Sequence, residues 1–391
     1  MDKLLVTGCA GFIGMHAALR WLRLGGEVIG LDVVEPPSGG VKAGAGRTDE
    51  AVSGLDDPAS GLPSARLGQL LAEPGFTYVR QDIGQFKEIA ELFAVRRPAL
   101  VLHLAARTGV RDSLSDPLGY AQTNVNGFLN VLEACRLHPV KHLIYASSSS
   151  VYGGQRRLPF TEDAAADRPL TVYGATKKAD ELLAHSYSHL YGLPASGLRF
   201  FTVYGPWGRP DMALFKFAAA IVSGRPITLY NGGRMKRDFT YIDDVTESIV
   251  RLLVRPPRPA EGFACVDQDT RTGQADRADR VDLADQVDQP DEAEANSAVR
   301  PDIRPAGSEP PYRLLNVGHR RPVELTELVA QLEQALGRKA DVRLADMQPG
   351  EMTDTWADSS LLEREIGFYP QTELKAGIAA FADWFKSYYH L

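Results

Sequence analysis

Residues 4–14 read Leu-Leu-Val-Thr-Gly-Cys-Ala-Gly-Phe-Ile-Gly: an apolar run, then Gly8, Gly11 and Gly14 at intervals of three, opening into an amphipathic stretch from Phe12 to Leu24. Few folds accept that order. A first glycine at a strand end permits a tight turn, a second lets a ligand approach the backbone, and a third lets the helix pack closely on the strand. The ligand such a turn suits is a pyrophosphate, because the N–H groups of the first helical turn, at Phe12 and Ile13, have no partner within the helix and carry the positive end of its dipole. Asp32 ends the second apolar run. About 20 residues past the turn, a carboxylate accepts hydrogen bonds from an adenosine ribose and repels a 2′-phosphate, so NAD is expected rather than NADP.

The rest of the first two hundred residues continues the pattern. Short apolar runs (Val28 to Leu31, Leu100 to Leu104, Leu143 to Ala146) alternate with helical stretches (Phe86 to Val95, Leu118 to Leu137, Tyr173 to Tyr191). Strands too apolar to show a wet face, separated by helices, predict βαβ units and a parallel sheet covered on both sides. The expected fold class is α/β: a doubly wound parallel (Rossmann) sheet over residues 1–200, with a smaller C-terminal α/β substrate lobe over most of 201–391.

Two stretches fall outside this pattern. Glu35 to Ser64 is rich in Gly and Pro and is expected to be a mobile loop. Between Asp267 and Pro311, twelve acidic residues stand against five arginines, which accounts for the whole net charge of −7. That segment has no aromatic residue to offset the entropy of ordering it, and is expected to be a disordered insertion. With its charge set aside, Lys plus Arg and Asp plus Glu balance, so no basic surplus exists to hold a nucleic-acid backbone. Cys9, Cys135 and Cys265 are too few and too scattered for a disulfide framework or a zinc site. His185 and His189 lack the neighbouring Glu of a metal helix, and no metal is expected. No apolar stretch reaches the ~20 residues that cross a bilayer, and a cytoplasmic protein is expected.

The chemistry is carried by two further segments. The apolar run after Lys141 leads into Ser147-Ser148-Ser149-Ser150, and a helix opens with Tyr173-Gly174-Ala175-Thr176-Lys177. Tyr and Lys at i and i+4 share one helix face. The Lys177 ammonium, together with the positive charge of an oxidised nicotinamide, favours tyrosinate, which makes Tyr173 a general base. Ser148 adds a hydroxyl beside the same substrate oxygen and steadies a developing alkoxide.

With these segments the sequence resembles the extended short-chain dehydrogenases/reductases that act on nucleotide sugars, and within them most closely the UDP-glucuronate 4-epimerases. The closer match lies in residues 145–153, Val203 to Met212 (Val-Tyr-Gly-Pro-Trp-Gly-Arg-Pro-Asp-Met), Met235 to Val245 (around Arg-Asp-Phe-Thr-Tyr-Ile-Asp-Asp) and Gln348-Pro349-Gly350. The resemblance implies that Tyr173 takes the proton of the sugar 4-hydroxyl while a hydride passes to resident NAD, and that the hydride returns to the opposite face of a 4-keto intermediate. It implies adenine contacts at Asp82 and Ile83, nicotinamide-side contacts at Ala105 and Ala106, and a diphosphate contact at Arg237, beside which Arg111 is a second candidate for a phosphate. The Asp-Glu pair of the related 4,6-dehydratases is replaced by Ser149 and Ser150, and the Glu of the related decarboxylases is missing. Ser149, Ser150 and Thr202 are therefore expected to hold the sugar carboxylate as neutral donors, with Arg209 pairing with it or with a phosphate.

Arg107, Thr108 and Asp112 depart from the family pattern at the edge of the sugar pocket. Two other readings accordingly stay open: a 4-epimerase of a neutral UDP-hexose (UDP-glucose/UDP-galactose), and a non-catalytic NAD-binding regulator. A homodimer is expected by analogy, through the helices at Leu118 to Leu137 and Tyr173 to Tyr191.

Overall fold

The protein is seen in a computed structural model that describes residues 1–37, 61–261, 263, 309–347 and 352–391. The strands of these residues are β1 (Lys3–Thr7), β2 (Glu27–Asp32), β3 (Phe76–Arg80), β4 (Leu100–His103), β5 (His142–Ser148), β6 (Ala195–Phe200), β7 (Thr202–Tyr204), β8 (Ile227–Leu229), β9 (Lys236–Tyr241), β10 (Tyr312–Val317), β11 (Pro322–Glu324) and β12 (Val342–Leu344). The longer helices are α1 (Phe12–Arg23), α2 (Leu62–Leu71), α3 (Phe86–Arg96), α4 (Gly127–Leu137), α5 (Val172–Tyr191), α6 (Ala213–Val222), α7 (Ile242–Leu253), α8 (Leu325–Leu336), α9 (Ser360–Ile366) and α10 (Leu374–Tyr388).

Seven strands pair in parallel in the order β10-β6-β5-β4-β1-β2-β3. The order reverses between β1 and β4, and a doubly wound sheet opens a crevice at that point, outside the carboxyl ends of its strands. Alternation along each strand feeds both faces. Leu4, Val6, Leu102 and Ile144 pack with α1 and its neighbours, whereas Leu5, Val101, Leu143 and Tyr145 pack with α3, α4 and α5. The expected Rossmann sheet is therefore present.

The second half of the chain contributes to both layers. A three-stranded sheet (β11-β9-β7), the pair β12-β8 and the helices α6, α8 and α10 build the smaller lobe. Its core is aromatic, with Phe215 meeting Phe381, Trp384 and Phe385. Two pieces cross the expected boundary at residue 200. Strand β10 extends the main sheet beyond β6, and α7 packs on α1. The apolar face of α7 buries Val245, Ile249 and Leu252, and the helix packs against α1 and β5 on one side and β7 and β9 of the smaller lobe on the other.

The stretch expected as a loop over 35–64 ends in a helix. Helix α2 begins at Leu62, with Pro63 in its first turn, where a missing N–H costs nothing. Residues 38–60 lie outside the described residues, as do 264–308, which hold nearly all of the acidic segment, and the Gln348-Pro349-Gly350 motif.

Close approach at the first turn is built into the sheet. A Cβ on Gly14 would lie 2.2 Å from the carbonyl oxygen of Gly8, and Gly8 itself sits at φ +72° against the backbone of Ala105. Gly14→Ala is therefore expected to force the helix off the strand and to destabilise the fold by about 1–3 kcal/mol, read as a lower denaturation midpoint in urea.

Candidate active site

The crevice at the strand ends is a cleft of about 770 Å3 between the two layers. One wall is the glycine turn, with Gly8, Gly11, Phe12, Ile13 and Gly14 all facing it. Helix α1 starts with no side-chain cap at Gly11 and no acidic residue in its first turn, so its N-terminal donors remain available to an anion. Asp32, at the end of β2, is fixed to this turn: its carboxylate accepts from Ala10 N at 3.0 Å and Val33 N at 2.8 Å. Burial raises its pKa against these bonds. An uncapped helix, glycines that leave the backbone bare and a fixed carboxylate fit the pyrophosphate and ribose of NAD.

The opposite wall carries the tyrosine. Helix α5 is capped by Thr171, whose hydroxyl accepts from Gly174 N at 3.1 Å, and this start places Tyr173 and Lys177 one turn apart on the cleft. The Tyr173 ring meets Tyr120 edge-on, with centroids 6.4 Å apart. Lys177 is 2% exposed, and its Nζ donates to Asp180 Oδ2 at 3.0 Å. Burial raises the Asp180 pKa to about 6, in spite of that ammonium. Ser148, the last residue of β5, also faces the cleft, and its Oγ accepts from Ser150 N at 3.2 Å. The phenol of Tyr173, the ammonium of Lys177 and the hydroxyl of Ser148 thus belong to one cleft.

Beyond them Ser149, Ser150 and Thr202 line the cleft, together with Arg111, Arg209 and Arg237. Each arginine is held. Arg209 forms a two-pronged contact with Asp211, with Nε donating to Oδ1 at 3.0 Å. Arg237 donates to the carbonyls of Thr353 at 2.9 Å and Met352 at 2.8 Å, and Arg111 lies over the Tyr230 ring at 5.1 Å. Ala106 lines the cleft; Asp32, Asp82, Ile83 and Ala105 do not. Ala105 is the backbone against which Gly8 fits, and Ile83 is a core residue under α4. Asp82 Oδ1 accepts from Gly84 N at 2.8 Å in the turn after β3.

Several supporting residues gave no signal in the sequence. Asn124 ties the turn after β4 to α5, since its amide donates to Arg107 O and Thr176 Oγ1, each at 3.0 Å. Thr7 Oγ1 accepts from Leu104 N and Ala105 N, and shares a 2.8 Å hydrogen bond with His103 Nδ1. With both lone pairs of Thr7 in use, its hydroxyl proton goes to Nδ1 and leaves the imidazole proton on Nε2. Asp180 was missed as well, although its place three residues after Lys177 is a signal that could have found it. Among the described residues no cluster of side chains suits a metal ion.

A sheet that reverses at β1 and β4, an uncapped phosphate turn and a Tyr-Lys-Ser set in one cleft define a dinucleotide-dependent enzyme of the Rossmann class. The NAD dependent epimerase/dehydratase family matches residues 4–262. The chain belongs to that family. It is 39% identical over 390 residues to a probable UDP-glucuronate 4-epimerase of Rhizobium meliloti, spanning 99% of this chain and 98% of that one. It is 36% identical to UDP-glucuronate 4-epimerase 1 of Arabidopsis thaliana, spanning 99% and 77%. Among solved structures, the UDP-glucuronic acid 4-epimerase of Bacillus cereus, in complex with UDP-glucuronic acid and NAD, superposes with a TM-score of 0.74. It is 27% identical and spans 98% of this chain and 99% of that one.

The buried His103 is expected to cost stability in acid. Burial, and then the charge of Lys177, push its pKa down to about 3. An unfolded histidine titrates near ~6.5, so the native state binds a proton less readily. The stability it contributes is complete above that value and is lost as pH falls toward 3. Between pH 6 and 4 the unfolding free energy of the protein is expected to fall more steeply than that of His103→Asn, by about 1.4 kcal/mol per pH unit.

Proposed function

We propose that the protein is an NAD-dependent UDP-glucuronate 4-epimerase, interconverting UDP-glucuronate and UDP-galacturonate. The observation that carries this reading is the meeting in one cleft of Tyr173 and Lys177 with the glycine turn on one side and a neutral hydroxyl row plus Arg209 on the other. NAD, held by Gly8 to Gly14 and Asp32, supplies a reversible hydride acceptor for sugar C4.

The protein's own groups do the proton work. Tyr173 Oη takes the 4-hydroxyl proton and gives it back after the 4-keto sugar has presented its other face. Lys177 stabilises the tyrosinate by its charge, and its bond to Asp180 orients the ammonium while leaving two N–H donors for the cleft. Ser148 Oγ donates to the reacting oxygen. Arg237 and Arg111 hold the diphosphate, and Asp82 and Ile83 the adenine.

The hydroxyls of Ser149, Ser150 and Thr202, with Arg209, hold the carboxylate. A 4-keto uronate is a β-keto acid, and it loses carbon dioxide when its C–CO2 bond aligns with the carbonyl π system. Fixing the carboxylate out of that alignment protects the intermediate. No described helix is long and apolar enough to cross a membrane, and the reading places the enzyme in the cytoplasm, where nucleotide sugars are to hand. It acts as a homodimer across α4 and α5, whose faces expose Leu129, Leu137, Leu182 and Leu190.

Incubation with UDP-glucuronate alone is expected to yield UDP-galacturonate, followed by chromatography of the nucleotide sugars. Tyr173→Phe should lower kcat by about two or more orders of magnitude with little change in binding. A UDP-pentose as the main product, or faster turnover of UDP-glucose than of the uronate, would overturn the substrate assignment. Sedimentation at rising concentration should show dimers, and Leu182→Lys should shift them to monomers.

A further inference from the structure

The segment from Gly205 to Asp211, which brings Arg209 to the cleft, is fixed from outside itself. Trp207 sits at φ +62°, a left-handed conformation that a residue with a side chain adopts only when its surroundings impose it. Three carbonyls in succession are taken by donors from the Rossmann layer. His16 Nε2, on α1, donates to Pro206 O at 3.0 Å. Arg66, on α2, donates to Trp207 O through Nε at 3.0 Å and Nη2 at 2.7 Å, and to Gly208 O through Nη2 at 2.9 Å. Arg66 is 4% exposed. The Trp207 ring is closed in from the other side by Trp384 and Tyr388, at 5.4 and 5.1 Å between centroids.

A buried guanidinium gives up its hydration, and Arg66 replaces it with backbone carbonyls rather than a carboxylate. Burial and then the like charge of Arg209 lower its pKa to about 10, so it stays charged at neutral pH. The charges of Arg66 and Arg209 therefore oppose each other across the turn that Arg66 holds.

We propose that Arg66 is a positioning residue for Arg209: by fixing the carbonyls of Trp207 and Gly208 it sets where the Arg209 guanidinium stands, and so gives the cleft its preference for a sugar that bears a carboxylate. The inference rests on the uronate reading above. It assigns to a residue of the dinucleotide-binding layer a part in sugar selection. No motif marks Arg66, because its partners lie more than a hundred residues away in sequence.

The test is a double-mutant cycle on binding. Dissociation constants for UDP-glucuronate, UDP-glucose and UDP are measured in the NAD-loaded Tyr173→Phe protein, which binds without turnover, with and without Arg66→Gln, Arg209→Gln and the pair. Arg66→Gln should weaken UDP-glucuronate by about tenfold or more and leave UDP and UDP-glucose within about twofold. The pair should bind the uronate no worse than Arg209→Gln alone, since both changes remove one interaction. Arg66→Lys, which keeps the buried charge, guards against loss of fold and should weaken the uronate less than Arg66→Gln; thermal unfolding shows which variants remain native. Equal weakening of all three ligands, or additive losses in the pair, would overturn the proposal. If the parent protein shows no preference for the uronate, the functional reading fails and takes this inference with it. If the parent prefers the uronate and both Arg66 variants keep that preference in full, only this inference fails.

Discussion

The placing of Ser148, Tyr173 and Lys177 around the cleft depends on one buried ion pair. Glu181 of α5 accepts from Arg199 Nε at 2.7 Å and Nη2 at 2.9 Å, and from Ser147 Oγ at 2.7 Å, with neither member of the pair more than 2% exposed. Alternation along β5 turns Ser147 toward the helix and Ser148 toward the cleft. The carboxylate that receives Ser147 therefore locks the distance between Ser148 and the helix bearing Tyr173 and Lys177. Arg199 carries the tie further, donating to Tyr152 Oη at 3.0 Å, which in turn donates to Asn316 of β10 at 2.6 Å. Replacing such a pair by a well-packed apolar one can be neutral for stability, whereas removing one partner typically costs about 3–5 kcal/mol. Its worth here is the alignment of three strands with one helix.

A second carboxylate does the same for the smaller lobe. Asp238 of β9 accepts from His319 N at 2.7 Å and from Arg320 N and Ala357 N at 3.0 Å, so one buried anion gathers three separate stretches of chain. Arg237, its neighbour along the strand, is thereby anchored at the cleft. Both organising groups are acids satisfied by several donors, which is how a charge persists in a low-dielectric interior.

The parts legible in the sequence were those set by local physics. Periodicity gave β1, β2, β4 and β5 with α1, α3, α4 and α5, because a strand or helix buried on the sheet must repeat its apolar positions. The glycine turn and the Tyr-x-x-x-Lys pair were legible because each is a contact within a few residues. Helix α2 was hidden because Gly and Pro near a helix start look the same as Gly and Pro in a loop. The place of β10 at the sheet edge was hidden because parallel pairing is decided by distant partners. Arg66, His16, Asn124 and Arg199 act on groups tens to hundreds of residues away, and a lone Arg or Asn in a sequence looks like any surface residue.

Three arginines of the cleft are anchored before any ligand arrives, and this bears on selectivity. A long side chain ordered on binding costs about 0.5–1.5 kcal/mol, and Arg111, Arg209 and Arg237 are already anchored by a ring, a carboxylate and two carbonyls. The anchors differ in what they leave behind. Carbonyls and a ring face bring no formal charge of their own to set against the positive charge of Arg237 and Arg111. Asp211 cancels that of Arg209 until a competing carboxylate shares it. On the uronate reading, a neutral hexose leaves the Arg209–Asp211 pair as it is and gains nothing from it, whereas a uronate gains a charged hydrogen bond at the cost of weakening an exposed pair worth about 0–1 kcal/mol. Specificity is a difference between affinities, and a cheaply displaced partner held in the right place supplies it without lowering the affinity for the nucleotide that both sugars share.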